Sequence, residues 1–516
     1  MMSETRYKLH WITAILSVLK SIKDMIVPIL ILVFANGLND MGTGKWYFDY
    51  LNFIIFGVLF IGLLISGLIK WKRFVYWFED NELRIEYGLF VKKKRYIPFD
   101  RIHSLDYTEG ILHRLFKLVK VKVETAGGSA LKSEAELTAI TKEAANRIEI
   151  EIADAKRRKV VAANGAEEID DVEEIVVESA AKPIFTMAGK DLLILATTSG
   201  GIGLIISGAL IFLAQFGDLI PLGRVYEEVS GIIKYGLLFV AIIVFLGFLV
   251  VWGISVAMTF VSYYGFTVVV DKEDIIITRG LIEKKRATVP LNRVQSVIVV
   301  ENPLRQLFGY ANVVIDNAGG GLGEGARIKL FPLVKKKHLY GPLKEIFPNI
   351  VVEEPKIKLP IRGLRYYYRI DFFWMIPAVG ALTYYFFPYG LFSLLIIPVI
   401  VLWGYWQHRS GAYEIFNNQL TMRFRGFSLQ TAYMMKKRIQ SMEIKQNYFH
   451  RKAGVATVSA RIKSGMGLFN AQVSHMEEAD ADRIIGWYEP TRESQIPKES
   501  FMDEVSEIKK PEEYSP

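Results

Sequence analysis

Residues 292–320 read NRVQSVIVVENPLRQLFGYANVVIDNAGG, and this stretch decides the architecture. Arg293–Glu301 alternates as a half-buried strand does, and Tyr310–Asp316 resumes the alternation. Between them Asn302 stands where an N-cap belongs, Pro303 at the first helical position and Gly309 at the left-handed stop. The spacing predicts one or two helical turns joining two strands. Leu304, Leu307 and Phe308 recur at i, i+3 and i+4, so they are expected to form one apolar face against the sheet.

The pattern occurs three times. Arg101–Gly128 aligns with Arg293–Gly320 without a gap and shares ten of 28 positions, enough to read the two as copies. A more divergent third copy runs from Arg438 to Gly465. The upstream strands repeat as well: NELRIEYGLF (81–90), EDIIITRGLI (273–282) and NQLTMRFRGF (418–427). The recurring signature is Arg101 with Ser104, Arg293 with Ser296 and Arg438 with Ser441, plus the stops Gly309 and Gly454. A regular strand would put each Arg and Ser on opposite faces, and fold-stabilising hydrogen bonds are their expected role. The first copy has Lys117 at the stop, so its helical turn is expected to end differently. Closing helices are expected from Glu136, Leu333 and His475. Each copy thus reads as a bent antiparallel sheet plugged by a C-terminal helix.

Between the copies lie apolar segments long enough to suggest membrane hairpins: 25–38 and 52–69, 192–216 and 235–261, 372–387 and 390–406. The expected fold class is a mixed membrane protein with six transmembrane helices in three hairpins, each followed by a cytoplasmic β-barrel-like domain with a C-terminal helix. The expected order is hairpin 1 (1–70), domain 1 (71–165), an acidic linker (166–190), hairpin 2 (191–262), domain 2 (263–355), hairpin 3 (356–409), domain 3 (410–490) and a disordered tail (491–516). Short neutral-to-acidic loops inside the pairs and basic starts after them, such as KWKR at 70–73, place both termini in the cytoplasm. The composition agrees: 51% hydrophobic, 13% aromatic and a net charge of +9 from 63 basic and 54 acidic residues. In such a chain the basic excess points to cytoplasmic segments and not to nucleic acid.

The order strand, Gly-Leu turn, strand, P-x-x-R-[IV]-x-S, LFG, AGG resembles the bacterial pleckstrin-homology (PH) domains of membrane proteins, and the triple hairpin-plus-domain arrangement is similar to the YdbT-like family. The resemblance covers about residues 9–490. It implies PH-like barrels, an association with the cell envelope in which some relatives are linked to tolerance of membrane-active bacteriocins, and a small partner with a single PH-type domain.

No enzymatic role is expected. The chain has no cysteine, which removes disulfides, Cys-based zinc sites and Cys nucleophiles, and its seven histidines show no metal-ligand spacing. Residues 318–330 (AGGGLGEGARIKL) lack GxxxxGK[ST] and read as a flexible hairpin loop. No cofactor is expected. The five stronger spans carry no ionisable residue in mid-span, which argues against active transport. The candidate contacts for anionic lipid headgroups or a protein partner are Lys92, Lys93, Lys94 and Arg95, then Lys284, Lys285 and Arg286, then Lys436 and Lys437, with a further cluster at Lys335–Lys337. Their alternative role is to blunt sheet edges. Small residues at Ser199, Gly203 and Ser207 are expected to pack helices closely. The expected function is a lipid-proximal scaffold or docking platform in envelope homeostasis; the alternative is a passive transporter or extruder of an amphipathic substrate, gated by its PH-like domains.

Overall fold

The computed structural model describes residues 6–35, 46–125, 135–164, 182–199, 237–317, 327–465 and 467–489. It forms two compact units: Met1–Val352 with Lys463–Leu468, and Glu353–Ile462 with Phe469–Pro516. The expected acidic linker core, the 318–326 loop, most of the 192–216 segment and the tail lie outside the described residues.

The first unit begins with β1 (Tyr7–Lys8), α1 (Ile12–Ala35) and α2 (Trp46–Arg73). The first repeat follows as β2 (Val75–Glu79), β3 (Glu82–Tyr87), β4 (Lys93–Pro98), β5 (Ile102–Glu109), α3 (Ile111–Leu115), β6 (Leu118–Thr125), β7 (Ala135–Thr141) and α4 (Lys142–Asn164). One sheet runs in the order β1-β2-β3-β4, antiparallel throughout. The inward residues Leu83, Ile85 and Ile97 meet Val121, Val123 and Leu137 of the other half-sheet, and Ile148, Ile152 and Ala155 of α4 close the core. Full burial of each large aliphatic residue stabilises the repeat by about 2 kcal/mol. The closing helix starts at Lys142 and not at Glu136, because Ala135–Thr141 alternates in burial and completes the sheet first.

The second repeat has the same order: β8 (Phe185–Thr186), α5 (Gly189–Thr198), α6 (Leu237–Tyr263), β9 (Thr267–Asp271), β10 (Asp274–Arg279), β11 (Lys284–Pro290), β12 (Val294–Glu301), α7 (Pro303–Leu307), β13 (Tyr310–Asn317), β14 (Arg327–Lys335) and α8 (Tyr340–Ile346). Its closing helix also starts late, since Leu333 still belongs to β14. The two repeats do not close separately. β11 pairs antiparallel with β5, giving one continuous sheet β7-β6-β5-β11-β10-β9-β8. The register at this seam is Lys284 opposite Glu109, Lys285 opposite Thr108 and Arg286 opposite Tyr107.

The second unit is built on the third repeat: β15 (Ile357–Lys358), α9 (Arg365–Tyr385), α10 (Ile396–Ser410), β16 (Ala412–Phe416), β17 (Gln419–Arg425), β18 (Leu429–Met435), β19 (Ile439–Lys445), α11 (Tyr448–Lys452), β20 (Val455–Ser464), β21 (Gly467–Glu477) and α12 (Glu478–Tyr488). Here His475 lies in β21 and the helix begins at Glu478. Leu420, Met422, Ala432, Val458, Ala460 and Ile484 are buried.

Sequence reasoning missed one device. In every repeat a two-residue strand lying before the helical hairpin returns to the sheet after it: Tyr7–Lys8 on β2, Phe185–Thr186 on β9 and Ile357–Lys358 on β16. Two residues are too short for any periodic signal, yet their ladders tie both ends of each hairpin to the sheet. Among the described residues two helical stretches are long and apolar enough to cross a membrane, Phe245–Tyr263 and Tyr389–Ser410, with a shorter apolar helix at Phe372–Tyr385.

Candidate membrane-facing site

The short helices α3, α7 and α11 show an inverted polarity. Leu115 is 72% exposed, Leu307 79% and Tyr448 75%, and Ile111, Leu304, Phe308 and Phe449 are exposed beside them. The expected apolar face against the sheet is therefore wrong. A five-residue helix makes little more than one turn, and in α3 and α7 the residue it buries is polar. His113 is buried with Nε2 2.8 Å from the carbonyl of Thr138, and Arg305 is buried in the corresponding position. Polar groups inside and large apolar groups outside mark a surface meant for something other than water.

Each helix ends on a left-handed residue: Lys117 at φ 55°, Gly309 at 70° and Gly454 at 60°. The first copy thus ends like the others, and Lys117 accepts the backbone strain that glycine avoids. The Asn302 side chain makes no capping bond to α7, whereas Asn447 accepts one from the backbone N–H of His450 at 2.8 Å.

A second apolar tip lies at the turn into β4, β11 and β18. Phe90 is 92% exposed and Phe427 73%, and Val91, Leu281 and Ile282 are exposed as well. Gly88 (φ 142°) and Gly280 (φ 107°) make the first two turns possible; a Cβ there would meet the carbonyl oxygens of Val91 and Glu283 at 1.9 and 2.0 Å.

Both tips abut the ends of the apolar helices in every repeat. In the first, Phe116 packs edge-on against Trp11 at 5.9 Å, and Arg73 at the end of α2 donates to the Leu89 carbonyl at 2.5 Å. In the second, Arg305 Nε donates to Thr198 Oγ1 at 3.1 Å, and the Leu281 N–H donates to the Val261 carbonyl at 2.9 Å. In the third, Tyr366 donates to the Phe449 carbonyl at 2.8 Å, and Phe427 stacks on Trp403 at 6.1 Å. Two apolar tips beside each helix base form one face per repeat.

The cation clusters separate in the structure. Lys92–Arg95 follow the Phe90 tip and are all exposed, with Lys92 paired to Glu86 and the Arg95 guanidinium 5.8 Å from the Tyr87 ring. Lys284–Arg286 hold the equivalent place but lie in the seam, where Arg286 sits 5.9 Å over the Tyr107 ring. Lys436 and Lys437 are not their counterparts. They occupy the 3-10 turn after β18, and Lys436 lies 5.6 Å over the Trp487 ring; Leu429–Thr431 stand where the other repeats carry cations. In the Lys335–Lys337 cluster, Lys336 pairs with Glu301 at 3.3 Å and Lys335 lies over Tyr310.

The Arg–Ser signature has a geometry that the strand reading did not foresee. Arg101, Arg293 and Arg438 close 3-10 turns, and the strand after each is bulged before Ser104, Ser296 and Ser441. Ser296 donates to the buried Asp316 at 2.8 Å, and Ser104 to Glu124 at 3.3 Å. In the third repeat Arg461 replaces the carboxylate and pairs with Glu443 at 2.7 Å. Burial, and then the neighbouring Asp106 carboxylate, push Glu124 from its ordinary 4.5 up to about 8 against the Ser104 bond and Lys122. His450 and His475, far apart in sequence, meet at 4.8 Å beside Tyr366. Burial, then His450 and His408, lower His475 to about 4. Among the described residues no group of three His, Asp or Glu is placed to hold a metal ion.

A family model described as the bacterial PH domain matches residues 26–156, 209–344 and 372–492. The transmembrane protein YdbT of Bacillus subtilis (strain 168) is 35% identical over 495 residues, covering 95% of this chain and 99% of that protein. No solved structure matches.

Proposed function

This chain belongs to the bacterial PH-domain family, with a transmembrane relative matched along almost its whole length, and we propose that it is a non-enzymatic, multi-pass protein of the bacterial cell membrane whose three PH-like domains form a lipid-proximal scaffold. The carrying observation is the pair of exposed apolar tips beside the helix bases, repeated in all three domains. Such tips call for an apolar cover, and their place beside the helix bases favours lipid, so they would lie in the inner leaflet with Lys92–Lys94 at headgroup depth, each contributing about 1 kcal/mol of attraction to anionic lipid. Six spans in three hairpins, with the domains and both termini cytoplasmic, complete this reading. Two strand ties and two tips per hairpin leave a domain little freedom to swing, so a disturbance of the leaflet would reach it directly. The physiological output is envelope homeostasis, including tolerance of membrane-active peptides.

The absence of cysteine makes the test direct. Single variants Leu115→Cys, Leu307→Cys and Phe449→Cys, labelled with an environment-sensitive dye in vesicles, are expected to shift to the blue and to be quenched by spin-labelled lipid. The exposed turn residue Lys272, as Lys272→Cys, is expected to do neither. Equal behaviour at all four positions removes the proposal. In a deletion strain the scaffold predicts altered peptide sensitivity with unchanged accumulation of labelled peptide; altered efflux instead points to transport.

A further inference from the structure

The seam shows how one PH-like repeat of this chain extends another: the first strand of a second half-sheet, β5, adds to the last strand of a first half-sheet, β11. Each repeat offers both kinds of edge. Among the described residues β4 ends its sheet, in the order β1-β2-β3-β4, and β19 ends its sheet, in the order β19-β20-β21. β4 is an edge of the β11 type, and β19 is an edge of the β5 type. We propose that β19 of one copy adds to β4 of a second copy, so that the chain assembles head to tail in the plane of the membrane.

The repeat alignment sets the register. The Ser104–Glu124 and Ser441–Arg461 pairs fall at the same step after the same bulge. β19 therefore superposes on β5 with Ile444 at Tyr107, Lys445 at Thr108 and Gln446 at Glu109. On the other side Lys92, Lys93 and Lys94 take the places of Lys284, Lys285 and Arg286. The seam register then puts Lys94 opposite Ile444 and Arg95 opposite Glu443. Lys93 faces Lys445, whose charge Glu443 already offsets at 3.3 Å.

A second observation singles out the same two edges. The seam is clamped at its membrane-side end by Arg114 of α3, which donates to the Leu281 carbonyl at 2.7 Å. The third repeat keeps this arginine as Arg451, preceded by His450 as Arg114 is preceded by His113. The second repeat has Gln306 there. Leu89 stands in the first repeat where Leu281 stands in the second. Arg451 of one copy would thus reach the Leu89 carbonyl of the next, on the lone pair that Arg73 leaves. The alternative of β4 against β4 brings two runs of lysine together, which cross-strand electrostatics opposes. A heterologous contact of this type generates a ring if its rotation closes and a row if it does not. It also covers two edges, β4 and β19, that would otherwise be open to uncontrolled pairing.

The test is made in native membranes with two differently tagged full-length chains, one carrying Lys94→Cys and the other Ile444→Cys, joined by a short bis-maleimide. The mixed pair is expected to give a two-tag adduct at roughly ten-fold the yield of a pair in which Lys272→Cys replaces Lys94→Cys, and Arg451→Glu is expected to cut that yield several-fold. The unlabelled wild-type chain in native nanodiscs is expected to contain more than one copy, and the Arg451→Glu chain mostly one, which separates loss of pairing from loss of fold. The proposal is overturned if the mixed pair does not exceed the control, if Lys94→Cys alone gives the dimer, or if the adduct joins Lys94→Cys to a different polypeptide.

Discussion

β4 and β11 are closely related in sequence, KKKRYIP from Lys92 against KKRATVP from Lys284, yet they meet different surroundings. β11 has β5 along its outer side, with Lys284 opposite Glu109 and Arg286 over Tyr107. β4 ends its sheet, and Lys93 and Lys94 are exposed. A basic strand start is therefore not one functional element. Beside a strand with a carboxylate and an aromatic ring it is a seam; with no strand beside it among the described residues it is an edge available to lipid or to another chain.

The largest expected effect comes from Tyr107, whose ring lies under Arg286 and whose hydroxyl donates to Glu149 at 3.2 Å. Tyr107→Ala should lower stability at the seam by about 2 kcal/mol, less than the loss for a fully buried aromatic residue, and should speed hydrogen exchange of the β11 amides. The equivalent change on the open strand, Ile444→Ala, should cost about half as much and leave β11 untouched. Equal effects would mean that the seam adds no stability.

The next effect depends on pH and has opposite signs in two repeats. Glu124, which faces β5 across the ladder, is held at about 8 in the folded protein. Below its ordinary 4.5 it is protonated folded and unfolded alike; above that its contribution is progressively lost as pH rises through 8. Amide protection in β5 and β6 should thus fall between pH 5 and 8, and Glu124→Gln should flatten the fall. His475, held at about 4, behaves oppositely. Protection in β20 and β21 should fall as pH drops from 6.5 towards 4, and His475→Asn, which tolerates the positive φ of 57°, should remove that dependence.

Smaller still is charge reversal. Lys284→Glu places a carboxylate opposite Glu109 and should cost about 0.5–1 kcal/mol in thermal melting, whereas Lys93→Glu should change stability by less than about 0.5 kcal/mol. If both reversals cost the same, the difference between seam and edge is not energetic. Smallest of all, Lys117→Gly should stabilise the first repeat by several tenths of a kcal/mol up to about 1, because it relieves the left-handed backbone that Gly309 and Gly454 already suit.

Much of the fold was legible because its signals are local. Strand alternation, Pro303 and Gly309 around α7, and the glycine turns before β4 and β11 all act within a few residues, and the repeat displayed them three times. The site was less legible for a reason of scale. Leu304, Leu307 and Phe308 have helical spacing, but spacing states only that they share a face, and Arg305 takes the inward position. Ser104 and Ser296 were visible as a recurring residue, while their partners Glu124 and Asp316 were not, since the bulge that brings them together has no sequence pattern of its own. His450 and His475 meet only through the turn of β20 into β21.

The sequence by itself determined the repeat, the order of strands and corner helix within it, and its membership of the bacterial PH-domain family, because backbone preference and apolar periodicity are properties of neighbours along the chain. Tertiary structure decided that β11 is a seam and β4 an edge, that the corner residues face outward, and that a two-residue strand ties each hairpin to its sheet. Those outcomes depend on which backbone hydrogen-bonding groups and apolar surfaces remain unmatched after the local elements have formed, and residues far apart in the chain supply the match.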